Sequence, residues 1–213
     1  MPSLPSVKCS GCGACGQICP KSAISMTPND EGFLYPEVDS SLCVECRVCE
    51  KTCPVLNVRS STDFSERKAY AAICNDEKIR LESSSGGMFT VLAEKVIAVG
   101  GVVFGAEFDS DFSVMHGWTD SVCGLERFRG SKYLQSRTES SFLECRKFLD
   151  DGRKVLYTGT PCQIAGLKAF LKKDYENLFT VDVICHGVPS PALWQKYIKF
   201  RFADCENSFQ AEE

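Results

Sequence analysis

Eight of the fourteen cysteines in this chain fall in two runs of identical spacing. Cys9, Cys12, Cys15 and Cys19 are set CxxCxxCxxxC and close on Pro20, and Cys43, Cys46, Cys49 and Cys53 repeat that spacing and close on Pro54. Thiolates three residues apart can wrap a short loop around three irons of a 4Fe-4S cubane, which leaves the fourth iron for a cysteine from elsewhere. Structural zinc prefers two well-separated CxxC pairs or mixed cysteine and histidine ligands, not three close cysteines and a distant fourth. A disulfide scaffold fits no better. The chain opens MPSLPSVK without an apolar signal stretch, so an intracellular setting that keeps thiols reduced is expected.

The doubled run resembles the two-cluster bacterial ferredoxins. In that pattern the fourth cysteine of each run ligates the other cluster. The resemblance therefore implies one 4Fe-4S cluster on Cys9, Cys12, Cys15 and Cys53 and a second on Cys43, Cys46, Cys49 and Cys19. Residues 1–58 read as this internally repeated unit. CPKSAISM and CPVLNVRS are short extended segments after the two loops, and GFLYPEVDSSLC supplies a further strand and turn between them. So small a unit cannot hold itself together by apolar burial, so the clusters are expected to form part of its folding free energy.

Composition sets outer bounds. A chain of 213 residues, 44% hydrophobic and 24% charged, has room after the cluster unit for about one further domain. Its longest apolar run, residues 96–106, is too short for a membrane span, which needs roughly 20 residues. Net charge is −4 before any cluster is counted, so nucleic-acid binding through a basic surface finds no support. A cytoplasmic, acidic electron carrier is expected.

Ser60, Ser61, Thr62 and Asp63 mark a polar linker over residues 59–68, after which strand and helix signals alternate. AYAAIC (69–74) reads as a strand, and residues 86–99 as a helix with Met88, Phe89, Leu92, Val96 and Ile97 at helical spacing. GGVVFGAEF is a strand that FSVMHGW pairs with across a turn at residues 109–111. Residues 141–151 read as a helix opened by a capping box from Ser141 to Glu144. The fold class expected is α+β: a small ferredoxin-like domain followed by an α/β domain over residues 69–213.

Two loops at strand ends carry further chemistry. VLYT runs into Gly159, Thr160, Pro161, Cys162 and Gln163, with Pro161 suited to the first position of the helix over 164–171. TVDVI runs into Cys185, His186 and Gly187, followed by an amphipathic helix over 193–202. Ligands gather at the carboxyl ends of strands in open α/β sheets, and a helix N-terminus offers N–H groups to an anion. Cys162 is a candidate reactive thiol or further iron ligand, or a small packing residue. His186 is a candidate or a hydrogen-bonded loop residue. Ser83 to Gly87, before a helix, could cradle a phosphate or simply cap. Arg127, Arg129 and Lys132 form a basic island that grips an anion or is a solvated face. Cys74, Cys123, Cys145 and Cys205 show no metal spacing.

SSGGMFTVLA, GGVVFGAEFD, RGSKYLQS, GTPCQIAGLKAFL and DVICHGVPSP, in this order behind the doubled cysteine run, resemble the family of coenzyme F-420 hydrogenase/dehydrogenase beta subunits over nearly the whole chain. The resemblance implies an iron-sulfur flavoprotein oxidoreductase in which electrons pass between the clusters and FAD. The flavin then exchanges a hydride with a soluble acceptor, coenzyme F-420 or another substrate, and a redox partner protein or subunit is implied. It places flavin contacts at Ser85, Gly86, Gly87, Lys132, Gly159, Thr160, Pro161, Cys162 and Gln163, with Cys185, His186 and Gly187 near the same pocket. A non-catalytic electron-transfer module docking a partner subunit is the alternative. Family members usually continue beyond the point where this chain stops, so the flavin domain is expected to be incomplete.

Overall fold

The structure, a computed structural model, describes residues 1–58 and 67–209, with side chains described to residue 203. The polar linker at residues 60–63 and the side chain of Cys205 lie outside the described residues. No helix among those described is long and apolar enough to cross a membrane.

The two cysteine runs repeat one backbone as well as one spacing. Each leads into a five-residue helix, α1 (Ala14–Ile18) and α2 (Val48–Thr52), through a left-handed residue, Gly13 at φ 76° and Arg47 at φ 55°. A second left-handed residue stands two positions earlier in each, Gly11 at φ 65° and Glu45 at φ 53°. Between the runs, β1 (Ile24–Pro28) pairs antiparallel with β2 (Leu34–Val38), Ile24 opposite Val38. Over its described residues, 53–58, the extended segment expected after the second run does not form. Asn57 turns the chain back instead: its N–H donates to the Cys53 carbonyl at 3.0 Å, and its side-chain amide donates to the carbonyls of Glu50 and Cys53. The last turn of α2 thereby gains the donors that a strand would have withheld from its carbonyls.

The larger unit is a five-stranded mixed sheet of order β5-β4-β3-β6-β7. Its strands are β3 (Val102–Phe108), β4 (Val114–Thr119), β5 (Ser136–Arg137), β6 (Val155–Gly159) and β7 (Leu178–Asp182). β3 and β4 form the hairpin read from sequence, while β6 and β7 continue parallel to β3. Helices α3 (Glu77–Leu81) and α4 (Met88–Ile97) precede the sheet, α5 (Ser141–Asp150) and α6 (Pro161–Leu171) flank β6, and α7 (Pro191–Phe209) follows β7. The sequence expectation fails at residues 69–74, which pair with no strand among the described residues and expose Tyr70 and Ile73. That segment is tied instead to the turn before α4, Cys74 N–H to the Gly86 carbonyl at 2.6 Å. The capping box at Ser141 is also corrected. Ser141 is the first helical residue, and its buried hydroxyl meets Tyr157 Oη at 2.7 Å, while Ser140 stands at the cap.

The sheet is covered on both faces. Val102, Phe104, Val155 and Tyr157 pack with Phe142, Cys145 and Leu149 of α5 and with Ile164, Leu167 and Phe170 of α6. On the other face Val103 and Leu156 meet Ala93 and Val96 of α4 and Leu125 and Phe128. Strands buried on both faces read as continuous apolar runs, as β3 and β6 do. Cys12 and Ala14 belong to the first of these cores. The first cysteine loop is therefore part of the main core. Thr138 Oγ1 donates to the Cys12 carbonyl at 3.1 Å, Phe142 N–H donates to Gln17 Oε1 at 2.9 Å, and Leu34 N–H donates to Gln135 Oε1 at 2.8 Å.

A Cβ on Gly13 would overlap the Thr138 hydroxyl, whereas Arg47, its counterpart in the second run, is exposed. Gly13→Ala combines a left-handed alanine with a buried overlap and is expected to cost more than about 2 kcal/mol. Arg47→Gly is expected to change stability by less than about 1 kcal/mol. Denaturant unfolding of the loaded protein followed by circular dichroism compares them, and equal costs for the two would refute the assignment.

Beneath the end of β6, His116 is buried and stacked on Tyr157 at 5.4 Å. Its Nε2 faces the Thr158 carbonyl at 3.0 Å and so donates, which leaves Nδ1 to accept from the Ser136 hydroxyl at 2.6 Å. Burial lowers its pKa from 6.5 to about 4. Between those values the unfolded chain binds a proton that the folded one refuses, so stability falls as pH drops through that window, by on the order of 3 kcal/mol in all. His116→Gln is expected to flatten the stability curve over this range relative to the parent. An unchanged slope in denaturant titrations would show that other groups carry the acid loss.

Candidate metal centre

Each helix following a cysteine run places its third cysteine, Cys15 or Cys49, inward, and β1 and β2 cover them. Cys15, Ile24 and Cys49 form a small core with Leu4, Cys19, Met26 and Val38 against it. The remaining thiols line two hollows. One, of about 330 Å³ with its open mouth included, is lined by Cys9, Cys12, Cys15 and Cys53 together with Leu4, Pro36 and Val55. The other, of about 310 Å³, is lined by Cys43, Cys46, Cys49 and Cys19 together with Pro2, Lys21 and Arg47. In each hollow three thiols come from one run and the fourth from the other. The crossing follows from chain direction: α1 and α2 each carry their last cysteine away from their own loop and toward the partner loop.

Among the described residues no three cysteine, histidine or acidic side chains converge tightly enough to hold a single metal ion. Four thiols line each hollow, and four thiolates are the ligand set of a 4Fe-4S cubane. Burial pushes the thiol of Cys12 up to about 11 and that of Cys15 up to about 12, and it raises Cys9 and Cys49. Cys53 raises Cys9, Cys12 and Cys15 further, while Cys19 raises Cys49. Ligation needs thiolates, so deprotonation and cluster binding are one event at these sites. The Thr52 hydroxyl, one residue before Cys53, is buried and has no hydrogen-bond partner among the described residues.

Cys162 is near enough to Cys9 and Cys12 to contribute, behind burial, to the rise of both thiols. Its thiol lies 3.1 Å from Thr160 Oγ1, at the start of α6. Thr160 and Gln163 close a capping box there, and Gln163 Nε2 reaches the Ser136 carbonyl at 3.1 Å, so the turn is fixed from both sides. One helical turn after Cys162, a Cβ on Gly166 would lie 3.0 Å from Cys12 Sγ. Sequence reasoning passed over Gly166, although a glycine inside a helix costs about 1 kcal/mol against alanine and is a signal of close approach. It also passed over Gln17, Gln135, Thr138 and His116, which reveal themselves only through distant partners.

The other candidate residues fall in two groups, one at the carboxyl ends of β6 and β7 and one around the turn before α4. Val183 N–H donates to the Gly159 carbonyl at 3.0 Å, which joins the loop of Cys185, His186 and Gly187 to the turn before α6. Cys185 and His186 are exposed, and Gly187 has φ 100°. Ser131 N–H donates to Ser84 Oγ at 2.7 Å, which brings Ser85, Gly86 and Gly87 beside Lys132. Gly87 is the N-cap of α4, and no side chain caps the first turn there. The basic island is already engaged. Arg127 pairs with Glu107 at 2.9 Å, Arg129 pairs with Glu82, and the Lys132 ammonium donates to the carbonyls of Arg127, Arg129 and Gly130. Cys74 and Cys145 are small buried residues, and Cys123 is exposed.

Residues 8–57 match the family model described as 4Fe-4S dicluster domain. Residues 152–208 match that of the C terminus of the beta subunit of coenzyme F420 hydrogenase/dehydrogenase. The F subunit of the F(420)H(2) dehydrogenase of Methanosarcina mazei is 23% identical over 192 residues, 83% of this chain and 53% of that protein. An uncharacterized ferredoxin of Methanocaldococcus jannaschii is 38% identical over 47 residues, 22% of this chain and 60% of the ferredoxin. Among solved structures, a chain of the F420-reducing NiFe hydrogenase complex from Methanosarcina barkeri is similar with a TM-score of 0.47 at 22% identity, covering 61% of this chain and 49% of that one. The chain spans about half the length of its dehydrogenase relative. The chain thus carries a 4Fe-4S dicluster domain at residues 8–57 and, at residues 152–208, a region similar to the C terminus of the coenzyme F420 hydrogenase/dehydrogenase beta subunits.

Proposed function

We propose that this chain passes electrons between two 4Fe-4S clusters and FAD, with hydride exchange to a soluble acceptor such as coenzyme F-420, in the cytoplasm and beside a redox partner subunit. One observation carries the reading. The hollow of Cys9, Cys12, Cys15 and Cys53 abuts the N-terminal half of α6, whose first turn stands at the strand ends where Gly159, Val183 and the loop of residues 185–187 meet. A bound cubane supplies single-electron chemistry, and a flavin supplies the conversion between one-electron and two-electron steps. The residues of this chain hold and insulate. Cys9, Cys12, Cys15 and Cys53 ligate one cluster, and Cys43, Cys46, Cys49 and Cys19 ligate the other. Thr160 and Gln163 keep the turn before α6 rigid, with the Cys162 thiol against Thr160 Oγ1 in that turn. The N–H groups at the start of α4 are free of side-chain caps, and a flavin phosphate is the fitting anion for them.

A second reading, a relay without flavin, draws on Lys132 and Gly86. The ammonium is already shared among three carbonyls, and the space beside Gly86 is filled by the Ala72 carbonyl, to which a Cβ would lie at 2.8 Å. The visible spectrum of anaerobically purified protein separates the two. Flavin bands at near-stoichiometric level on the broad iron-sulfur absorption are expected, and iron-sulfur absorption that stays free of flavin after FAD is added establishes the relay. Cluster ligation has its own test. Cys53→Ser is expected to damage the cluster of Cys9, Cys12 and Cys15 and to spare that of Cys43, Cys46 and Cys49. Paramagnetic resonance of the reduced variant showing the reverse loss would overturn the crossing.

A further inference from the structure

The two cysteine runs are copies in spacing and backbone, yet they differ at the two left-handed positions. The first run has glycine at both, Gly11 and Gly13, and the second has Glu45 and Arg47. Left-handed backbone costs a side chain about 1 kcal/mol or more, so the second run bears a strain that the first avoids. The neighbours explain the difference. A Cβ on Gly11 would overlap the Gln135 amide, and one on Gly13 the Thr138 hydroxyl, whereas Glu45 and Arg47 are exposed. Gly166 adds a third missing side chain, on α6 against Cys12. The first run lacks side chains at the two left-handed positions where Gln135 and Thr138 approach it, and the second run keeps them. Exposure of the ligands follows the same division. Cys12, Cys15 and Cys53 are buried around the first hollow, while around the second only Cys49 is buried and Cys46 is exposed.

We infer that the two cluster sites are ordered. The site of Cys9, Cys12, Cys15 and Cys53 is the inner one, fixed against α6 and Thr138. The site of Cys19, Cys43, Cys46 and Cys49 is the outer one, at which a one-electron redox protein exchanges electrons with the chain. Each exchange moves one electron, the partner being oxidised or reduced by one as the outer site changes by one in the opposite sense, and the same electron then passes between the two sites. No bond forms or breaks. Gly166 is a positioning residue in this scheme, because it sets how closely Cys12 approaches α6. The inference rests on the cluster relay proposed above.

The order is tested on the loaded full chain by paramagnetic resonance in the reduced state. The two signals are first assigned by their selective loss in Cys53→Ser and Cys46→Ser. A soluble dysprosium chelate is then added to the parent protein. Several-fold stronger relaxation of the outer signal than of the inner one is expected, and equal or inverted relaxation overturns the order. Gly166→Ala is expected to shift the reduction potential and signal of the inner cluster while leaving the outer one unchanged. A shift of both, or of the outer one alone, also overturns it, and if that variant fails to fold the chelate experiment decides by itself. A protein that loads no iron sinks the relay reading and the order together. Two loaded clusters of equal access sink the order alone.

Discussion

The rest of the structure hangs on how closely the first cysteine loop approaches the sheet unit. Cys12 and Ala14 lie in the same core as Phe104, Tyr157 and Leu167, and three glycines, Gly11, Gly13 and Gly166, are the condition for that contact. Interiors pack at the density of organic crystals, so a methyl group at Gly11 or Gly13 would overlap its neighbours and one at Gly166 would press on Cys12. The contact gives a small thiol-rich unit the apolar burial that it lacks by itself. It also sets the first hollow at a fixed place relative to α6. Cofactor site and hydrophobic core are one piece of packing here, not a module carried on a tether.

Electrostatics works against the empty form of this arrangement. Burial raises the thiols of Cys12 and Cys15 well above their ordinary range, and neighbouring cysteines raise them further. Iron resolves the conflict by supplying positive charge at the place where the fold gathers negative charge. The sheet unit around it is rigid for a different reason. His116, Ser136, Gln163 and Thr160 form a chain of buried or half-buried hydrogen bonds under the turn before α6, and each polar group there has a partner. A buried polar chain of this kind, once fully satisfied, fixes one geometry.

Much of this was legible in the sequence, and the division has a physical basis. The cysteine spacing, the β3–β4 hairpin and the helix that begins at Pro161 are local patterns, and local patterns survive into the structure. The failures share the opposite origin. Residues 69–74 have strand composition, but a strand needs a sheet edge beside it, and the Gly86 carbonyl holds the Cys74 N–H in a turn instead. CPVLNVRS looks like CPKSAISM until the Asn57 side chain caps α2. Ser141 has the residue type and spacing of a capping box, yet a hydroxyl partner distant in the chain, on Tyr157, takes its side chain inward. The RGSK segment has the charge of an anion site, but Glu107, Glu82 and three carbonyls claim it and its neighbours. In each case a partner outside the local pattern outweighs a local preference.

Helix α7 joins parts of the molecule that are far apart in the chain. At its start Ser190 Oγ and Ala192 N–H both donate to the Glu31 carbonyl, on the tip of the β1–β2 hairpin. A turn further on, the side chains of Trp194 and Gln195 donate to the carbonyls of Phe112 and Asp111, at the tip of the β3–β4 hairpin, and Phe202 stacks on Phe112. Opening α7 would therefore release both hairpin tips at once. Amides in two segments separated by about eighty residues would exchange with solvent as a single cooperative unit, so the two sheets, which share no strand, share a stability.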